Sequence, residues 1–205
     1  GVHTTSGEWI AATTVVANAD ADVVYSRLIR DSAPAARAAQ SIHRATPSLS
    51  GFVLLLALAD LPAEFRAAAA HHRALFPDDY DAAFDAVFGT GAFARSGPAP
   101  VADPTVYINA PDDPALVPGD TDGAWFVLVN APRHDPASGV DWDKPGLTER
   151  YADHILDVMA RRGLDVRPYL RWRVVRSPAQ LERETGAPGG SIYGSSSNGS
   201  RAAFR

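Results

Sequence analysis

Several stretches of this 205-residue chain combine residue types that could do chemistry. GTGAFA at 89–94 fits the pattern G-x-G-x-x-A, in which glycines let a pyrophosphate settle on a helix amino end. That chemistry needs a strand before the glycines and a helix after them. Here a helix-patterned segment precedes and SGPAPVADP follows, so an ordinary loop is expected. NADAD at 18–22 alternates oxygen ligands as a calcium loop does. Val23 and Ile29 occupy the places of that loop's glycine and distal glutamate, which leaves helix capping by Asn18 and Asp20. His71 and His72 are adjacent, and in a strand adjacent side chains point to opposite faces, so they are not expected to share a metal. His134-Asp135 with a serine would suggest a nucleophilic triad, but no G-x-S-x-G elbow accompanies it. Asn198-Gly199-Ser200 has the form of a glycosylation acceptor, yet residues 1–9 have neither the basic start nor the apolar core of a secretory signal.

The run GGSIYGSSSNGSRAAFR at 189–205 is different. Its glycines permit close backbone approach to a ligand, and Tyr193 and Arg201 make it more than a plain linker. No catalytic acid, base or nucleophile stands out, and no metal site is expected.

The elements that must carry these residues can be read from periodicity. Residues 1–18 are expected to form strand, turn at Ser6-Gly7, and strand, followed by a helix with Val23, Val24 and Leu28 on one stripe. SAPAARAAQSI is a loose helix or linker. SLSGFVLLLALADLP reads as a central strand covered on both faces, and HHRALF as a shorter strand. PDDYDAAFDAVFG is a helix closed by Gly89; TVYINAPDD and AWFVLVNAP are strands. LTERYADHILDVMARRG is the clearest helix, with Leu147, Tyr151, Ile155, Val158 and Met159 on its buried face. YLRWRVVRS and PAQLERETG add a strand and a short helix. This order predicts an α+β fold, a mixed, mostly antiparallel sheet with helices packed on one face.

Composition bounds the function further. Nineteen basic against 24 acidic side chains, scattered, do not make a nucleic-acid footprint. No cysteine is present, which excludes thiolate nucleophiles and disulfides. The apolar run at 52–59 is far short of the ~20 residues of a membrane-spanning helix.

Taken in order, SGEWIAATTVVANADADVVYSRLI, SLSGFVLLLALADLP, HHRALFPDDYDAAFDAVF, PTVYINAPDDPALVPGD, AWFVLVNAP, VDWDKPGLTERYADHIL and GGSIYGSSSNGSRAAFR resemble the phytoene desaturase branch of the flavin-dependent amine oxidoreductases. That branch includes carotenoid desaturases, carotenoid oxygenases and retinol saturase. The resemblance implies that 1–32 is a remnant of an FAD-binding domain, 33–188 a substrate domain, and 189–205 a loop returning to the flavin, in a chain that is part of a longer protein. It implies cofactor-binding roles for Asn18 and Ala19 at a strand end and for Gly189, Gly190, Ser191 and Tyr193 in the returning loop. The substrate implied is a carotenoid or related isoprenoid, losing hydride to FAD in the full-length protein. An apolar ligand should lie along the sheet face of 51–59 and 124–131.

The family's opening G-x-G-x-x-G turn is not among these residues, so the chain alone is not expected to bind FAD or turn over. A cytoplasmic location is expected, with peripheral membrane contact by the full-length protein and homodimerisation of this part through an uncovered apolar face. The alternatives are a non-enzymatic module that binds a hydrophobic ligand or itself, and a flavin oxidase for amines or porphyrins.

Overall fold

Four leucines, with Phe52 and Val53, crowd residues 50–58, and in the computed structural model they form the central strand of a five-stranded sheet. The structure describes residues 1–29, 32–67, 71–111, 113–117 and 119–196. The chain divides into two units, Gly1–Ala45 and Thr46–Arg205.

In the first unit β1 (Val2–His3) and β2 (Trp9–Ile10) make a short antiparallel hairpin around Gly7. The second strand is therefore much shorter than the sequence suggests. Residues 11–20 have no regular structure, and Val15 and Val16 are exposed with no strand beside them. Helix α1 (Ala21–Val23) is capped by the Asp20 carboxylate, which accepts from the Asp22 N–H at 2.8 Å. It passes into a π-helical turn, Val24–Leu28, where the Ile29 N–H reaches back to the Val24 carbonyl. The alanine-rich segment forms a full helix, α2 (Ala33–Arg44), because Ser32 caps it and Pro34 sits in its first turn.

The second unit holds β3 (Ser50–Leu58), α3 (Ala63–Ala67), β4 (His72–Leu75), α4 (Tyr80–Phe88), β5 (Val106–Asn109), β6 (Gly123–Ala131), α5 (Leu147–Arg161), β7 (Leu170–Arg176) and α6 (Pro178–Thr185). Strand order is β4-β5-β6-β3-β7, and every neighbouring pair is antiparallel. The α+β reading holds.

Alternation along the strands decides what is buried. Phe52, Leu54, Leu56 and Leu58 on β3 share one face with Trp125, Val127 and Val129 on β6 and with Val106 and Ile108 on β5. Helix α5 covers that face with Tyr151, Ala152, Ile155, Leu156 and Met159. The ring of Phe52 meets Tyr151 edge-on at 4.9 Å and Trp142 at 5.3 Å. The Tyr151 hydroxyl donates to the Val101 carbonyl at 3.1 Å, and burial pushes its phenol well above the ordinary range. A second cluster, Leu49, Ala86, Val87 and Val101, ties α4 to the start of β3.

Candidate ligand-binding face

The other face of the sheet is apolar but only partly covered. Register puts Val53, Leu55 and Ala57 of β3 beside Leu128, Phe126 and Ala124 of β6. On the other flank, Leu55 and Ala57 lie beside Val174 and Trp172 of β7. Leu55, Phe126 and Leu128 are half-buried, whereas Trp172 is 60% and Val174 40% exposed. The central strand is thus sealed on the α5 side and only in part on this one, short of the two-sided cover its sequence suggests.

The end of this face is built by the returning loop. Gly186 ends α6 in the left-handed conformation, and Gly189 and Gly190 follow with φ of 64° and 68°. Segment 191–196 then runs along residues 46–50. The Ile192 N–H donates to the Leu49 carbonyl at 3.1 Å, the Ser48 N–H to the Gly194 carbonyl at 2.8 Å, and the Ser196 N–H to the Thr46 carbonyl at 2.7 Å. Ser50 adds a hydroxyl hydrogen bond to the Gly190 carbonyl at 2.5 Å. Gly51 leaves room for this path: a Cβ there would touch Ile192 and Leu128 at 3.4 Å.

This lacing decides what the sequence-predicted residues do. Gly189, Gly190 and Ser191 are buried. The Gly189 N–H donates to Glu182 Oε1 at 2.9 Å, and its carbonyl accepts from the His134 N–H at 2.9 Å. The Gly190 N–H is taken by the Ala187 carbonyl and that of Ser191 by the Pro188 carbonyl. Their close approaches are made to this protein's own backbone. Tyr193, 70% exposed, instead borders a hollow on the open face with Thr105, Tyr107, Leu128 and Asn130. Asn18 and Ala19 are exposed in the extended stretch before α1, in the first unit. Residues 197–205, with Arg201 and the Asn198-Gly199-Ser200 acceptor, lie outside the described residues.

The remaining candidates have structural partners. Asp22 is buried in the first unit and accepts from Ser26 Oγ at 2.9 Å, with His43 Nε2 at 2.6 Å. His134 shares a cluster with Asp141 and Asp143 whose ligand atoms lie within 4.8 Å of one another. Its Nδ1 already accepts from the Trp142 N–H at 3.2 Å, and Asp143 receives Arg183 on both oxygens at 3.0 Å. Asp135 accepts from Ser138 Oγ at 2.6 Å, which holds its carboxyl below the usual range. No triad is assembled there. His71 precedes β4, so strand alternation does not separate it from His72; their rings are 5.0 Å apart, and His72 Nδ1 is paired with the Tyr107 hydroxyl at 2.6 Å.

The GTGAFA glycines follow helix α4. A Cβ on Gly91 would sit 1.9 Å from the Asp85 carboxylate, so the turn presents an anion where a pyrophosphate would need donors. With the amides of Gly189–Ser191 also engaged, the described residues do not fit the dinucleotide part of FAD. Asn130, Thr105 and Tyr107 were not singled out by sequence. The available signal was Asn130 itself, which breaks the apolar outward row of AWFVLVN.

No family profile matches the chain. It is 31% identical over 136 residues, 65% of its length and 25% of the relative's, to the 1-hydroxycarotenoid 3,4-desaturase of a Flavobacterium strain. It is 28% identical over 207 aligned positions, all of this chain and 36% of the relative, to the hydroxyneurosporene desaturase of Rubrivivax gelatinosus. It is 26% identical over 199 residues, 95% of this chain and 31% of the relative, to the phytoene desaturase of Neurospora crassa. By sequence, the chain is similar to the carotenoid desaturases. It spans roughly a quarter to a third of the length of the desaturases it matches. The desaturase-like stretch includes both the sheet with the open face and the loop that ends at Tyr193.

Proposed function

We propose that this chain is the substrate-facing part of an FAD-dependent oxidoreductase that desaturates a carotenoid or related isoprenoid. The observation that carries this reading is the open apolar face of a sheet lying within a desaturase-like sequence. The hydrocarbon chain of an isoprenoid offers apolar surface, and burying it against Leu55, Phe126 and Leu128 would draw it out of water at roughly 25 cal/mol per Å². The hydride acceptor would be a flavin held by other parts of the protein. The residues here would orient the polyene and exclude water from one side of it, which is why the face needs no acid, base or nucleophile. Asn18 and Ala19, and Tyr193 at the rim of the hollow, are the candidates for contact with the cofactor side of a complete site. The dinucleotide would be gripped by other parts of the protein, and the chain alone would be inactive.

A longer protein that contains this chain and retains flavin tests the reading. Phe126→Asp should lower the desaturation rate at least tenfold while the visible flavin absorption stays unchanged. Loss of flavin with loss of activity, or full activity in the variant, would count against the face as the substrate surface. The exposed Trp172 and Val174 on edge strand β7 favour a second reading, self-association through this face, which sedimentation of the chain alone would reveal. Among the described residues no helix is long and apolar enough to cross a membrane.

A further inference from the structure

The open face has one place where its apolar alternation stops. Outward positions on β6 read Ala124, Phe126, Leu128 and then Asn130, whose cross-strand neighbour on β3 is Gly51. Gly51 contributes no side chain, and Ile192 and Leu128 lie over it, so the hollow beside Asn130 is walled from the β5 side. The hollow there has a volume of about 360 Å³ and is walled by Thr105, Tyr107, Leu128, Asn130 and Tyr193. Thr105 and Asn130 also line a narrower cleft that continues past Phe84 and Val87 of α4.

The polar groups in this hollow are unequal. The Tyr107 hydroxyl is already paired with His72 Nδ1. The Asn130 carboxamide and the Thr105 hydroxyl are half-buried, and neither hydrogen-bonds another described residue. Together they offer donors and acceptors at the end of an otherwise apolar track. A ligand hydroxyl is matched to that pair, since it both donates and accepts; a ketone would use only the donor half.

We propose that Asn130 and Thr105 form a hydroxyl-recognising subsite that makes this face prefer an isoprenoid alcohol over the corresponding hydrocarbon. The proposal rests on the reading of the face as isoprenoid-binding. Its selectivity comes chiefly from rejection: a hydrocarbon that enters the hollow strips water from the carboxamide and hydroxyl and gives nothing back.

Equilibrium dialysis of the chain with farnesol, and with the same trienyl skeleton lacking the hydroxyl, tests this directly. The unaltered chain should bind farnesol more tightly by roughly three- to tenfold, the range of one net hydrogen bond. Asn130→Leu should bring the ratio close to one, in part by strengthening hydrocarbon binding. Thr105→Val, nearly the same shape, should reduce it in the same direction and guards against a misfolded first variant. A ratio that survives both substitutions overturns the subsite. Equal binding of the two ligands by the unaltered chain overturns the subsite and leaves the face standing, whereas binding of neither overturns both.

Discussion

The two faces of the five-stranded sheet are made by the same strands and differ only in which residues of each alternation point which way. On the α5 side, Phe52 and Leu54 are fully buried and the outward row of the helix is charged, with Arg173 reaching across from β7 to Glu149 at 2.8 Å and Asp153 at 2.6 Å. On the open side the residues are nearly as apolar, yet Trp172 and Val174 stay exposed, and Asn130 and Arg176 punctuate the row. One face is buried around rings in contact. The other keeps apolar surface available, the surface on which the proposed ligand would lie. Hydrophobicity alone does not separate the two faces; the presence of a covering helix does.

The sharpest way to break this comparison is to remove equivalent side chains from the two faces. Leu54→Ala leaves a cavity in the core that α5 covers and should cost about 2–5 kcal/mol in urea unfolding. Leu55→Ala, one position from Leu54 on the same strand but half-buried, should cost less than half as much. If the two variants lose stability equally, the open face is as tightly packed as the other and the contrast fails.

A smaller effect should come from the loop that closes the open face. Gly190 has φ of 68°, and a Cβ there would stand 2.2 Å from the Pro178 carbonyl oxygen. Gly190→Ala should therefore cost about 1–3 kcal/mol and loosen the segment up to Tyr193. Hydrogen exchange at the Ile192 and Gly194 region should rise with protection of β3 Leu54 unchanged. Loss of protection throughout the sheet would show that the loop belongs to the core rather than to the face.

How much of this was legible in the sequence follows from where the information lies. Helix α5 has a period of 3.6 written in its apolar residues, so its existence and its buried face could be read directly; β3 and β6 are continuous apolar runs that announce a strand without saying which face is sealed, and the alternation of β7 marks Trp172 and Val174, which stay exposed. The extended stretch 11–18 could not be, because its valines have strand propensity but no neighbouring strand to pair with, and β-propensity describes fit to a surface that must be supplied. For Gly189 and Gly190, composition signals freedom of backbone, whereas the fold spends that freedom on Pro178, Arg133 and His134, far away in the chain. The position of Tyr193 depends likewise on Ser48 and Ser50. Asn130 was visible as a break in a row, but a break acquires meaning only when register shows Gly51 opposite and Thr105 alongside.

The smallest expected effect concerns a loop that belongs to neither face. Asp135 accepts from Ser138 Oγ at 2.6 Å and from the N–H groups of Ser138 and Ala137 at 3.1 and 3.2 Å. These bonds, the hydroxyl foremost, lower its pKa from the ordinary 3.8. A folded-state value below the unfolded one means that the stabilisation is fully present above about pH 4 and is lost as pH falls through the depressed value. Asp135→Asn should therefore reduce the urea midpoint slightly at neutral pH, with the gap between variant and parent closing under acid. Ligand binding on the open face should not change. A gap independent of pH would show that the carboxylate's charge has no part in holding the loop, and a change in binding would tie the loop to the open face after all.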